Sequence, residues 1–408
     1  MKKLVNILSV IFIINLSTDA LWAQFTFFTP KENFAIEVSM PNTGLKRLPI
    51  YRNSISSLIV TGDYIIGGTS ANDGLTPFVF VASLKNRKVE EIKDINEIIT
   101  GQQSILTGFC RGSNNTLFAG TLANKKPDGS NGDGHLFQTD IGQDGSINIR
   151  DLGIPIPGEG ILSLTLDSEK KTLYGISCPS GLFFKYVIDT KEIKTYKDIA
   201  VTDQQISTLK EYDLGPQNYL SKSLIQADGL IFGSMPINKI FYFDPKDDSF
   251  HVLNDIPEVW GRLTLGQVES WAGSANGKIY GGNAGDGQLF EIDPVTKKLK
   301  NLGKPIGMNR LRGLTFGKDG KLYGIAGGLP GYAHLFSYND EEGFYDFGNP
   351  EFTMVAPGIE QGILWRGFQL GTITSSEDGK YIVMGEDESL SQLLIFAIDD
   401  KYEQRIGK

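Results

Sequence analysis

The chain has 408 residues, of which 40% are hydrophobic and 21% charged, with 48 glycines, 17 prolines and a formal net charge of −9. This balance excludes a disordered or collagen-like chain, and the acidic excess argues against nucleic-acid binding, because phosphate neutralisation needs a basic surface. Two cysteines, Cys110 and Cys178, exclude a disulfide scaffold and a Cys-rich zinc module, and three histidines, His135, His251 and His334, argue against a tri-histidine metal centre.

Residues 1–23 read as a secretory signal peptide. Lys2 and Lys3 precede an apolar run over 4–16, and Leu-Trp-Ala at 21–23 offers a small residue before the cut. The run is short and interrupted by Asn, and no other segment holds the roughly 18 consecutive apolar residues of a membrane span. No cysteine follows the cut, so a lipid anchor is not expected. Residues 24–408 are expected to form one exported domain, periplasmic or secreted, without a transmembrane anchor and monomeric.

Beyond residue 24 the chain is a repeat. A phrase of small residue, Leu or Ile, aromatic and Gly recurs as NTLFAG (115–120), KTLYGI (171–176), DGLIFG (228–233), GKIYGG (277–282) and GKLYGI (320–325), with weaker copies DYIIGG (63–68) and GKYIVM (379–384). Its anchors, Ile66, Phe118, Tyr174, Phe232, Tyr280, Tyr323 and Ile382, recur at the period of propellers and solenoids. A second phrase follows each: FVFVAS, HLFQTD, GLFFKYVID, KIFYFDP, QLFEIDP, HLFSYND and LLIFAID. Alternating apolar residues, aromatic and β-branched bias and Asp-Gly turns make each unit four short strands. The expected fold is all-β: a seven-bladed β-propeller with four-stranded blades, the last blade closed by an N-terminal strand, FAIEVSM (34–40), beside QLLIFAID. Radial closure leaves only short sheet edges. The Gly after each anchor is expected to let second strands pack near the narrow axis.

In a propeller the starts of the first strands and the loops between second and third strands open on one face, where loop variation places sites. His135 and His334 each stand before "LF" at the third strand and are expected on that rim; His251, in a fourth strand, is expected to be structural. Lys222, Glu269, Trp271, Arg310, Arg312, Trp365, Arg366 and Gln369 stand at the starts of first strands. Arginine there offers a rigid fork for a carboxylate or sulfate, and Trp271 and Trp365 offer stacking faces or inter-blade packing. Tyr332 lies two residues before His334, on the same side of an extended segment, where a Tyr–His pair could share acid–base work. The segment around 128–135 has the composition of a calcium loop without its spacing, and GEDES (385–389) is either a solvated loop or a cation site. No cofactor and no catalytic metal are expected, a structural divalent cation remaining open. A glycoside hydrolase would need two carboxylates, for which Glu269 with Glu386 or Asp286 is the available pair.

The blade phrase GKLYG…HLFSYN, the export signal and the rim His, Tyr and Arg resemble seven-bladed propellers of secreted bacterial glycan degradation, in particular the ulvan- and uronate-processing polysaccharide lyases of marine Bacteroidetes. The resemblance implies β-elimination at a uronic acid of an anionic oligo- or polysaccharide, as glycan cleavage or as dehydration of a terminal uronate. It implies Arg312, with Arg310 or Arg366 in reserve, as carboxylate clamp, His135 and His334 as bases and Tyr332 as acid; Lys222 and Trp271 are expected to contact substrate from their place at the starts of first strands. The alternative is a non-catalytic glycan- or protein-binding propeller, since fold alone does not confer function.

Overall fold

The computed structural model describes residues 26–31, 34–38, 53–71, 76–167, 169, 171–202, 204–205, 207, 219–260, 267–351, 367–387 and 391–406. The segment read as a signal peptide lies outside them. Two strands, β1 (Thr26–Pro30) and β2 (Phe34–Glu37), precede the first blade. Blade 1 is β3 (Asn53–Thr61), β4 (Tyr64–Ala71), β5 (Phe78–Ser83) and β6 (Lys88–Asp94), extended by β7 (Gln102–Ser104). Blade 2 is β8 (Cys110–Arg111), β9 (Thr116–Gly120), β11 (Leu136–Ile141) and β12 (Ile147–Gly153); β10 (Leu122–Ala123), which follows β9, pairs back on β7. Blade 3 is β13 (Gly160–Asp167), β14 (Thr172–Cys178), β15 (Phe183–Val187) and β16 (Ile193–Tyr196). Blade 4 is β17 (Ile225–Ala227), β18 (Leu230–Met235), β19 (Lys239–Asp244) and β20 (Ser249–Val252). Blade 5 is β21 (Val268–Gly273), β22 (Ile279–Asn283), β23 (Leu289–Asp293) and β24 (Lys298–Gly303). Blade 6 contains β25 (Leu311–Phe316), β26 (Leu322–Ala326), β27 (His334–Asn339) and β28 (Gly343–Pro350). Blade 7 is β29 (Leu370–Ser375), β30 (Tyr381–Glu386), β31 (Gln392–Ala397) and β2. The chain therefore folds as the seven-bladed propeller that the repeat implies.

The closing strand is the expected one: Phe34 stands opposite Ile395 and Ile36 opposite Leu393. Beyond it, β1 runs parallel to β28 and antiparallel to the C-terminal strand β32 (Tyr402–Ile406), so blade 6 has six strands and both chain ends are tied to one sheet. Phe28 anchors this extension. It is fully buried against Phe347, Phe396 and Tyr402 at ring separations of 5.6–6.1 Å.

Each gap between neighbouring blades holds its own apolar core, such as Tyr174, Phe183, Phe241 and Phe243 between blades 3 and 4. Burial of each such side chain contributes about 1.5–3 kcal/mol. The glycine after the aromatic anchor has a specific cause. Gly281 stands opposite Phe290 on the third strand, and a β-carbon on it would lie 2.2 Å from the phenyl ring. The same holds for Gly67 under Phe80 and Gly324 under Phe336. The glycine makes room for a ring from its own blade rather than for approach at the axis.

Candidate functional site

The first strands of the blades surround the axis, and most carry a one-residue bulge near their start. The pairing register slips between Ile55 and Ser57, Ile161 and Ser163, Val268 and Ser270, Leu311 and Gly313, and Leu370 and Thr372. The inserted residues are Ser56, Leu162, Glu269, Arg312 and Gly371. In blade 4 Ser234 N donates to Ser221 Oγ at 3.0 Å, just before Lys222, and in blade 2 Ile105 N donates to the Thr69 carbonyl as Ile161 N does to the Thr121 carbonyl, which makes Lys222 and Leu106 the equivalents. A bulge re-aims its side chain, and all seven of these residues line an axial cavity of about 610 Å³.

The ring is divided. Blades 4, 5 and 6 contribute Lys222, Glu269 and Arg312; blades 7, 1, 2 and 3 contribute Gly371, Ser56, Leu106 and Leu162. Lys222 Nζ lies 3.2 Å from Glu269 Oε1. Arg310 Nε donates to Glu269 Oε2 at 3.3 Å, and its Nη2 reaches Oε1 of the same carboxylate. Arg312 Nη1 donates to the Leu370 carbonyl at 3.1 Å, while Nη2 pairs with Asp387. Gln369 Nε2 donates to the same Asp387 at 3.2 Å. Arg310 holds φ 72°, a left-handed conformation that costs a residue with a β-carbon about 1–2 kcal/mol. Glu269 and Arg312 are each 9% exposed, whereas Arg310 is 36% exposed at the mouth.

Burial works against a charge on Glu269, but Lys222, Arg310 and Arg312 outweigh it and hold the carboxyl down to about 2. Burial lowers the proton affinity of Lys222; Arg310 and Arg312 push in the same direction and Glu269 opposes them. Among the described residues the lining carries four cations, Arg111, Lys222, Arg310 and Arg312, against Glu269 and Asp387, so these residues leave the axis of an acidic protein positive. Trp271 also lines the cavity. Its Nε1 donates to the Ser223 carbonyl at 3.3 Å and its ring meets Phe290 edge-on at 5.6 Å, so much of it is inter-blade packing.

The structure thus gathers Lys222, Trp271, Arg310 and Arg312 on one cavity, together with Glu269. It does not bring His135, His334 or Tyr332 there. His334 pairs in register with Ala326, which leads on to Leu311, so it stands two strands out from the axis. His334 Nδ1 donates to Asp346 at 3.0 Å, and Asp346 accepts from Gly348 N at 2.8 Å. His135 does the same with Asp151 at 2.9 Å, and Asp151 with Gly153 N at 2.8 Å. Blade 5 has Gln288, Asn301 and Gly303 in the same register. The imidazole–carboxylate pairs tie third strand to fourth in blades 2 and 6, whereas in blade 5 Gln288 Nε2 turns to Asp286 at 3.5 Å and Asn301 Oδ1 accepts from Glu258 N at 2.9 Å. Tyr332 is half-buried in the loop before β27, its N–H donating to the Leu329 carbonyl at 2.9 Å. His251 is exposed and stacks on Tyr242 at 4.9 Å, as a structural reading requires. Arg366 and Trp365 lie outside the described residues.

Asp387 was not singled out by the sequence, being embedded in GEDES; its signal is a place five residues after the blade-7 anchor, at the end of the second strand. The loop around 128–135 is held by Lys126, whose Nζ lies 2.8 Å from Asp133, and among the described residues no three metal-ligating side chains cluster. A hydrolase acid is not available in Glu269, because a carboxyl held near 2 carries no proton at neutral pH. Cys110 and Cys178 are free thiols, each pushed up to about 12 by burial. Among the described residues no helix is long and apolar enough to cross a membrane.

The fold and the charged axis define the chain as a seven-bladed propeller with a polar axial cavity. No family model matches it, and no curated protein matches it. Solved structures do. Virginiamycin B lyase from Staphylococcus aureus, in a catalytically inactive form with quinupristin, superposes with a TM-score of 0.59 at 9% identity, over 90% of this chain and 100% of that one. The extracellular domain of a putative hybrid two-component system from B. thetaiotaomicron gives 0.56 at 13% identity, over 89% of this chain and 39% of that one. The WD40 repeats of RRP9 give 0.54 at 10% identity, over 85% and 95%. At these identities the likeness is one of fold.

Proposed function

We propose that the axial cavity binds the carboxylate of a uronic-acid-containing, ulvan-like oligosaccharide and that the chain acts on it as an exported carbon–oxygen lyase. The observation that carries this reading is the convergence of Lys222, Arg310 and Arg312 on one open cavity in a protein of net charge −9. Of the lining cations Arg111 is paired with Glu377, and the other three, set against Glu269 and Asp387, leave one positive charge for a ligand to match while Lys222 keeps its proton. A guanidinium fork suits a carboxylate, and pairing that carboxylate acidifies the adjacent C–H. Elimination then needs a base to take the C5 proton while the C4–O bond breaks and its electron pair leaves with the oxygen. Lys222, whose proton affinity burial lowers, supplies that base from within the cavity once it has given its own proton to water, in place of His135 or His334, and leaves Arg310 and Arg312 to hold the carboxylate. The departing oxygen takes a proton from water: a sugar leaves in glycan cleavage, water in dehydration. The fold neighbour that is named a lyase is compatible with this assignment.

One observation favours a second reading, a non-catalytic binding propeller: among the described residues neither histidine nor tyrosine lines the cavity, and its cations Lys222, Arg310 and Arg312 are already paired. The deciding experiment incubates the protein with uronate oligosaccharides and follows conjugated-alkene absorbance, product mass and heat of binding. Unsaturation that Lys222→Gln abolishes supports the lyase. Binding without unsaturation leaves the binding propeller, and no binding removes both.

A further inference from the structure

A second cavity opens on the face where first strands begin, over blades 2 and 3. Its volume is about 650 Å³, within the ~300–1,000 Å³ of small-molecule pockets. It lies between β10, with the loop that follows it, and the place where β13 begins beside the end of β14. What separates it from the axial cavity is a single apolar cluster. Gly160 pairs in register with Cys178, and a β-carbon on Gly160 would lie 2.4 Å from the Leu122 side chain; all three residues line the second cavity. Cys178 and Leu106 pack together with Leu162, and the two leucines line the axial cavity.

The outer wall is the loop over residues 124–134, braced at both ends. Asn124 N donates to the Gly101 carbonyl at 2.9 Å and Asn124 Nδ2 to the Gln102 carbonyl at 3.2 Å. At the other end Asp133 accepts from Gly158 N at 2.7 Å, and Gly134 N donates to the Glu159 carbonyl at 2.8 Å. The two arms also meet, since a β-carbon on Gly132 would lie 2.1 Å from the Asn124 carbonyl oxygen. A wall fixed before a ligand arrives lowers the ordering cost of binding. The chemistry differs from that of the axial cavity. Among the described residues no carboxylate lines it. Its cation, Lys125, has no ion-pair partner among them, whereas Lys126 is held by Asp133 at 2.8 Å. Gln103, Asn124 and Asn131 add amides, which both donate and accept, above a floor that includes Leu122 and Pro179.

We propose that this cavity is a second saccharide site, which takes a sugar residue with one anionic group, carboxylate or sulfate, from the same chain whose uronate enters the axial cavity. The linkage between the two sites rests on the function proposed above; the chemistry of the second cavity does not. Lys125 meets the anionic group, the amides meet hydroxyls and the apolar floor carries the ring. The saccharide crosses the Leu106–Leu162–Cys178 cluster on the upper face.

The test measures binding of galacturonate oligomers of one to six residues by calorimetry. Affinity is expected to rise at least tenfold between monomer and tetramer. Lys125→Gln with Asn131→Ala changes two exposed side chains, so the unfolding midpoint should hold. This variant is expected to bind the monomer within twofold of the wild type and to lose the gain with length to within threefold. A wild type without that gain, or a gain that survives in the variant, overturns the proposal. A sulfated galactose disaccharide, which carries no carboxylate, separates the two sites. If no uronate binds but this probe does, and the variant loses it, the second site stands while the uronate reading falls. No binding of either probe removes both.

Discussion

Replacing Glu269 by Gln removes the charge on which Lys222 and Arg310 converge. The carboxyl titrates near 2 in place of its ordinary 4.5. At about 1.4 kcal/mol per pH unit, its charged form is about 3 kcal/mol better off in the folded chain than in the unfolded one. Removing one partner of a buried pair costs about 3–5 kcal/mol, which agrees. Glu269→Gln is therefore expected to lower stability at pH 7 by about 3 kcal/mol, read from urea unfolding with the denaturant slope unchanged. The pH dependence has a definite sign. A carboxyl whose folded value is depressed contributes its stability above the unfolded value and loses it as pH falls toward the folded one. The wild type should therefore lose this contribution between about 4.5 and about 2, and Glu269→Gln should lack that part of the slope. A cost below about 1 kcal/mol at pH 7, or parallel acid profiles, would refute the description of Glu269 as the cluster's counter-charge.

Three other outcomes follow from the same geometry. Arg312→Lys keeps the charge but cannot span both the Leu370 carbonyl and Asp387, so calorimetry should show uronate affinity falling at least tenfold. His334→Ala should lower stability by about 1–3 kcal/mol in denaturant melts and leave ligand affinity unchanged; a fall in turnover with intact stability would instead return His334 to the chemistry. Phe28→Ala should cost about 3–5 kcal/mol in urea melts, because its ring holds both chain ends to blade 6; a cost within 1 kcal/mol would make the β1 extension an ornament.

The propeller was legible because its period is written in residues with steric jobs. Four of the five aromatic anchors, all but Phe118, are followed directly by a glycine that a phenyl ring requires, and the two recur together, so the strands and the closing strand beside β31 follow. The tie of β1 and β32 to blade 6 was not legible: TFFTP and YEQRI are short, carry no repeat phrase and pair with a strand of another blade. The site was half legible. Lys222, Arg310 and Arg312 stood out as charges at strand starts, where a propeller must expose them. The bulge that turns Lys222, Glu269 and Arg312 inward leaves no compositional mark, since its equivalents are Ser56, Leu106, Leu162 and Gly371. The histidines drew attention by rarity, but a side chain at the first residue of a third strand lies far from the axis, and its aspartate partner is set by pairing with the fourth strand.

A crystal structure of the chain with a bound uronate oligosaccharide tests the central claim most directly. The account predicts the sugar carboxylate within hydrogen-bond reach of Arg310 or Arg312 inside the ring of first strands, with the adjacent carbon facing Lys222. A saccharide seated against His135 or His334 on the outer part of the face, with the axial cavity holding only solvent, would contradict it.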